Sequence, residues 1–203
     1  GTGTFMVLSA LRNYPVHLTA IVTMADSGGS TGRLRDQYGV LPPGDIRRAL
    51  VALSGASDTL RELFNYRYET GDLGGHSFGN IFLSTLEKVT GDFSSAVKEA
   101  ARVLNINGEV IPVTLDKTSL CAQLDDDQII RGETNIDIPK HDPSIRIKKI
   151  WLEPSARLNS EAKKAILTAD VIVIGPGDLY TSLIPNLLVR GVVSAIKKSK
   201  ARK

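Results

Sequence analysis

One junction constrains this chain more than any other feature. His17-Leu18-Thr19-Ala20-Ile21-Val22-Thr23 is a short apolar, β-branched run, and it passes directly into Met24-Ala25-Asp26-Ser27-Gly28-Gly29-Ser30-Thr31-Gly32-Arg33. The first part reads as a buried strand. The second crowds glycines, hydroxyls, an aspartate and an arginine onto the strand's carboxyl end. In open α/β sheets, that end is where ligands bind. Gly28, Gly29, Ser27, Ser30 and Thr31 can present backbone amides and hydroxyls to an anion, with Arg33 as a two-pronged phosphate donor. Asp26 can hold a divalent cation or a ligand hydroxyl. The competing reading is a solvated loop, but long loops in compact domains are usually functional or disordered.

The remaining segments supply elements for such a sheet. The pattern predicts a helix over 4–13, a long loop over 24–44, and helices over 45–53 and 58–64. A further helix over 77–89 is stopped by Gly91, and another, capped by Asp92 or Ser94, runs to Leu104. A strand over 109–114 carries Pro112, which marks an edge or a bulge. Residues 120–124 and 128–131 form a hairpin around Asp125-Asp126-Asp127, and 145–152 is another strand. Asn159 caps a helix over 160–167, Val171–Ile174 is an apolar strand, 175–180 is a loop, and a last helix covers about 181–197. This order predicts an α/β fold with a mainly parallel sheet, helices on both faces and a small β-rich insertion over about 109–153. With 203 residues, 42% of them hydrophobic, the chain reads as a single domain over 1–203.

Charge and cysteine usage remove several classes. Lys197, Lys198, Lys200, Arg202 and Lys203 account for more than the whole net charge of +3. The basicity is therefore terminal, and with 5% aromatics the chain lacks the basic, aromatic-interleaved face of a nucleic-acid binder. No apolar run approaches the ~20 residues of a membrane helix, so no membrane insertion is expected. The single cysteine, Cys121, excludes an internal disulfide and suits a reducing, cytoplasmic compartment; its apolar surroundings make it a packed core thiol.

Four more loops can carry chemistry. Gly1-Thr2-Gly3-Thr4 precedes a helix, so Gly3 and Thr4 can meet a phosphate at a helix N-terminus; an ordinary helix entry is the alternative. In Pro42-Pro43-Gly44-Asp45-Ile46-Arg47-Arg48, Asp45 either caps the helix or shares a cation with Asp26, and one of Arg47 and Arg48 can meet phosphate while the other faces solvent. In Gly71–Asn80, His76 and Asn80 are four apart and share a helix face if the helix has begun; His76 otherwise caps or packs. His17 and His141 are too remote for a histidine zinc site. Gly175-Pro176-Gly177-Asp178-Leu179-Tyr180-Thr181-Ser182 follows an apolar strand and offers Gly175, Gly177, Asp178, Leu179 and Thr181 to a ligand, or is a βα turn capped by Asp178.

Thr23–Arg35 with Pro42–Arg47, Gly75-His76-Ser77-Phe78-Gly79-Asn80 and Gly175–Leu183 resemble, in order and over the whole chain, the YvcK-type gluconeogenesis factors of the CofD-like superfamily. The resemblance implies a Rossmann-like fold. Its pattern opens with a strand and a Gly-Gly-Gly-Thr-Gly loop, of which Gly1-Thr2-Gly3 remains, so the chain is expected to be truncated at its N-terminus and also at its C-terminus. The resemblance implies two functions. One is a regulatory protein, not an enzyme, that binds uridine-diphosphate sugars and is linked to gluconeogenic growth, cell-wall synthesis and cell shape. The other is a 2-phospho-L-lactate transferase acting on a nucleoside-diphosphate-linked substrate in deazaflavin coenzyme biosynthesis. The transferase branch has a Thr-Gly-Asp-Asp-type run where this chain has Ala25-Asp26-Ser27-Gly28-Gly29-Ser30. Adjacent metal carboxylates are thus missing, and Mg2+ would fall to Asp26 and Asp45. The expected ligand is a nucleotide sugar or dinucleotide; homo-oligomers and regulatory protein partners are compatible with the same reading.

Overall fold

A computed structural model of the chain describes residues 2–138, 142 and 144–203. Gly1 and His141 lie outside them. Helix α1 (Thr2–Leu11) leads to strand β1 (Thr19–Val22), followed by helices α2 (Gly29–Tyr38), α3 (Gly44–Leu53), α4 (Asp58–Asn65), α5 (Phe78–Thr90) and α6 (Phe93–Val103). Strand β2 (Glu109–Pro112) pairs in parallel with β1, from Thr19 opposite Glu109 to Val22 opposite Pro112. Pro112 closes the strand, where its missing N–H interrupts nothing further. Strands β3 (Ser119–Leu124), β4 (Ile129–Arg131) and β5 (Ile147–Glu153) form an antiparallel sheet in the order β4-β3-β5. Between β4 and β5 lies the short helix α7 (Glu133–Asp137); α8 (Ser160–Thr168), a π-helical turn (Leu179–Leu183), α9 (Ile184–Leu188) and α10 (Val192–Lys198) complete the chain. The α/β class and an antiparallel β-rich section are as the sequence indicates, but that section begins at Ser119: β2, counted into the expected insertion over about 109–153, pairs with β1 in the parallel sheet.

The core explains the arrangement. Ile46, Leu50 and Leu53 of α3 are fully buried; their spacing of four and three puts them on one face. That face meets Val22 of β1 and Val110 of β2 within one cluster with Leu8 of α1. Several ends are set by the residues the pattern singled out. Gly91 ends α5 in the left-handed region at φ 84°, Asp92 caps α6 through Ser95 N at 2.9 Å, and Asn159 caps α8 through Glu161 N at 3.0 Å.

Four other expectations need correction. The loop over 24–44 contains α2, whose sequence hides it: of its first four residues two are glycines, poor helix formers, and Leu34 is its only buried apolar side chain. Tertiary packing holds it instead. Gly32 lies against the Ser27 carbonyl so closely that a Cβ would overlap it. Asp45 is not the cap of α3; Pro43 occupies that position and Asp45 sits in the first turn. Val171–Ile174 forms no strand, only an isolated bridge between Val171 and Arg202. No strand lies beside it among the described residues to supply a ladder, and Val171, Val173 and Ile174 are exposed. The last helix is broken into three pieces. Pro185 near the start of α9 lacks an N–H to donate backward, and Gly191, at φ 104°, ends the run before α10.

Gly79 decides how closely α5 approaches α3 and α4. A Cβ there would stand 2.6 Å from the Phe64 carbonyl oxygen and 2.7 Å from Arg47 Cδ. Alanine ordinarily improves a helix interior by about 1 kcal/mol over glycine, whereas overpacking costs about 1–3 kcal/mol. The backbone carbonyl cannot move away without shifting α4, so the clash should win. Gly79→Ala is expected to lower stability by about 1–2 kcal/mol in urea unfolding; a stabilised variant would show that α5 has slack.

Candidate functional site

The site grows from β1. Where the strand ends, Asp26 turns back and its Oδ1 accepts the Gly28 N–H at 2.9 Å. This local turn delivers the chain to Gly29 at φ 44° and to the first turn of α2. The other Asp26 oxygen lies against Gly44 and Thr31, where a Cβ on Gly44 would collide with both side chains. Gly44 thus lets the start of α3 close on the aspartate. Burial pushes the Asp26 carboxyl above the usual range, the Gly28 N–H opposes that, and Asp45 adds to it.

Asp26 and Asp45 open onto a cavity of about 360 Å³. Gly3, Gly177, Asp178, Thr181 and Ser182 line it from the chain's two ends, and Arg48 lines it beside Asp45. Thr4 Oγ1 donates to the Pro176 carbonyl at 3.0 Å, and Gly3 packs on the Pro176 ring, which a Cβ would approach to 3.1 Å. Asp178 Oδ1 accepts from Tyr180 N, Thr181 N and Thr181 Oγ1, each at 3.0 Å. Those donors, the Thr181 N–H first, hold its carboxyl below the usual range. The loops around Asp26, Asp45 and Asp178 therefore meet in one cavity. Gly175, at φ 111°, precedes this turn, and Leu179 is exposed on it.

The remaining wall is α7. Glu133 and Asp137 both line the cavity, being four apart on one helical face. The helix is fastened to the first loop, since Thr134 N donates to Ser27 Oγ at 3.1 Å and Gly28 leaves room for the Thr134 hydroxyl. It meets the last loop at the Thr181 hydroxyl, whose one proton is shared between Asp178 Oδ1 at 3.0 Å and Asp137 Oδ1 at 3.2 Å. Burial, then Asp26, then Asp137 push the Glu133 carboxyl up to about 7. Sequence reasoning missed Glu133 and Asp137 because five residues carry too little periodicity to read as a helix. The usable signal was the i, i+4 carboxylate pair directly after a strand.

The other expected residues form a support behind Asp26. Ser30 Oγ lies 3.0 Å from His76 Nδ1. Asn80 Nδ2 donates to Thr31 Oγ1 at 3.4 Å, and Arg47 Nε donates to Asn80 Oδ1 at 3.1 Å. Arg47 is buried and absent from the cavity wall; Arg48 is the arginine that reaches it. His76 caps no helix; Ser77 does so, accepting from Asn80 N at 3.3 Å. Burial, with Arg33 and Arg67 nearby, holds the His76 imidazole below its ordinary value and so neutral. Arg33 is exposed and donates to the Gly74 carbonyl at 2.9 Å. Cys121 is buried in β3. No group of three His, Cys, Asp or Glu among the described residues stands ready to hold a metal ion, and no described helix is long and apolar enough to cross a membrane.

Glycine-lined loops at a strand end, enclosing a polar cavity, define an α/β small-molecule site. Over residues 1–203 the chain matches the family described as 2-phospho-L-lactate transferase CofD, and it belongs to that family. It is 47% identical over 205 residues to a gluconeogenesis factor of Halalkalibacterium halodurans, covering 100% of this chain and 62% of the relative. It is 43% identical over 206 residues to the gluconeogenesis factor of Bacillus subtilis, covering 100% and 63%. A crystal structure of protein BH3568 from Bacillus halodurans superposes with a TM-score of 0.94 at 46% identity, over 100% of this chain and 65% of that one. The chain thus spans less than two thirds of these relatives.

Glu133 makes the fold sensitive to pH. Its folded pKa, about 7, lies above that of an unfolded glutamate. Between the two the folded state binds more protons, so this carboxyl's contribution to stability is full at low pH and is lost as pH rises toward and through 7. Glu133→Gln removes that loss. Its melting temperature should match the parent's near pH 4.5 and exceed it increasingly toward pH 8 in paired thermal scans; a gap that stays constant with pH would contradict the assignment.

Proposed function

We propose that the chain is a nucleotide-sugar-binding regulatory protein whose ligands are uridine-diphosphate sugars, acting in the cytoplasm in support of gluconeogenic growth, cell-wall synthesis and cell shape. The observation that carries this reading is the meeting of three glycine-bearing loops around one polar cavity. Backbone amides at the start of α2, the Thr181 and Ser182 hydroxyls and the Arg48 guanidinium are groups suited to a phosphorylated, hydroxyl-rich molecule. The gluconeogenesis-factor names of its relatives support the physiological part. Arg33, exposed on the second turn of α2 and outside the cavity wall, is the residue assigned to phosphate.

A second reading has one observation in its favour. Asp26 and Asp45 face one cavity, where Asp45 adds to the burial that pushes the Asp26 carboxyl up, and two such carboxylates would fit a hard divalent cation such as Mg2+ with water completing its shell. When bound, that ion would neutralise phosphate charge during transfer. In this reading the chain would be a metal-assisted form of the 2-phospho-L-lactate transferase that the family's description names.

Two variants test the ranking. Arg33→Ala should weaken uridine-diphosphate glucose binding by about 1.5–3 kcal/mol, the worth of a charge-assisted contact, with little change in melting temperature because the side chain is exposed. Calorimetric titration giving parental affinity would remove Arg33 from the site. Asp26→Asn should retain partial binding that a chelator does not alter. Loss of binding in Asp26→Asn and Asp45→Asn alike, together with magnesium dependence in the parent, would make the transferase the better reading.

A further inference from the structure

The cavity wall is lopsided. Asp26, Asp45, Glu133, Asp137 and Asp178 line it against a single guanidinium, Arg48. Any further anion brought beside these carboxylates is repelled, the more so where water is excluded. A diphosphate placed between α7 and the Asp178 turn would meet that repulsion several times over. A sugar ring would not, because its hydroxyls donate hydrogen bonds to carboxylates. Cations gather instead around the support of the first loop, where Arg33 and Arg67 act on the buried His76 and Arg67 acts on Arg47.

We propose that Glu133 and Asp137, presented by α7, are the specificity-determining wall of the cavity: they receive the hydroxyl-rich glycosyl end of a nucleotide sugar, while its phosphates remain toward Arg48. This rests on the nucleotide-sugar reading above and adds which part of the ligand each wall recognises.

The fastening of α7 supports this. A helix of five residues has little stability of its own, yet it is held from both sides, by Thr134 N on Ser27 Oγ at 3.1 Å and by the Thr181 hydroxyl, which Asp137 Oδ1 at 3.2 Å shares with Asp178 Oδ1 at 3.0 Å. Both anchors lie in loops that also line the cavity or border it, so the two carboxylates are fixed relative to any ligand held there. Glu133 is half-buried, and the charged groups facing it are Asp26, Asp45 and Arg48 from the first loop and α3, Asp178 from the last loop, and Asp137 from its own helix. Held in this way, its carboxyl is placed to meet a sugar hydroxyl at the cavity wall. Charged wall residues of this kind discriminate against the sugar-free nucleotide as well as favouring the sugar.

The test compares uridine diphosphate with uridine-diphosphate glucose by titration calorimetry at pH 7, in excess chelator. The parent chain should prefer the glucose form by about tenfold, roughly the worth of one hydrogen bond. Glu133→Ala should reduce the preference to within about twofold, and Glu133→Gln, which keeps a donor and an acceptor at the same place, should retain it. Circular dichroism checks folding; should the alanine variant not fold, Glu133→Asp, which withdraws the carboxyl by one methylene, is expected to lower the same ratio. A parental ratio near one, or a ratio unchanged in Glu133→Ala, overturns the assignment while leaving nucleotide binding intact. So does added magnesium raising uridine diphosphate to the affinity of the glucose form, since a cation would then be holding phosphate in the acidic end. Failure of the parent to bind either molecule overturns the nucleotide-sugar reading, and this inference with it.

Discussion

Much of the molecule depends on one buried cation. Arg47 projects from α3 into the space between α4 and α5, where its guanidinium donates to Asn80 Oδ1, Asn65 Oδ1 and the Phe64 carbonyl. All three acceptors are neutral. Burial therefore brings its pKa down to about 10, still high enough to keep the charge at any physiological pH. A buried charge is tolerated only where hydrogen bonds satisfy it, so the end of α4 and the start of α5 are held where those acceptors must be. Asn80, fixed by Arg47, then donates to Thr31, and Thr31 packs beside Asp26 under Gly44. One arginine thereby sets the geometry of the loop that opens the cavity.

The legible and illegible parts of the sequence divide on physical lines. Signals confined to a few neighbouring residues read correctly: Gly91 and Asp92 end one helix and begin the next, Asn159 begins another, and Asp125-Asp126-Asp127 lies between the paired strands β3 and β4. Long apolar periodicity, as in Ile46, Leu50 and Leu53, also read correctly. What failed were elements whose stability comes from distant partners. The glycines of α2 disguise a helix that exists because Ser30, Thr31 and Gly32 are buried beneath other elements. The apolar run Val171–Ile174 reads as a strand, but a strand needs a neighbour, and among the described residues the run makes only an isolated bridge to Arg202, with Ile172 N donating to its carbonyl.

The same division holds at the cavity. The loops around Asp26, Asp45 and Asp178 were readable because glycine and aspartate after a strand or before a helix carry a local mechanism. Residue-level roles were less so. Nothing local distinguishes Arg47 from Arg48, and only their 100° separation around α3 sends one into the core and the other to the cavity wall. Glu133 and Asp137 arrive from a different sheet, through an antiparallel section that the chain's order gave no reason to bring against β1.

The bond from Thr4 to the Pro176 carbonyl joins positions 172 apart in sequence. Closing a loop of that length carries an entropic cost that grows only slowly with length, but it must be met before the contact gives anything back. The helices of the first hundred residues can form and pack on nearby partners, whereas the cavity needs the beginning, the middle and the end of the chain at once. Contacts of such high sequence separation are among the last a chain can make. During synthesis the carboxylates of the first loop, α3 and α7 can therefore come together before the Asp178 turn has emerged, and the cavity they line stays open to water on that side until it does.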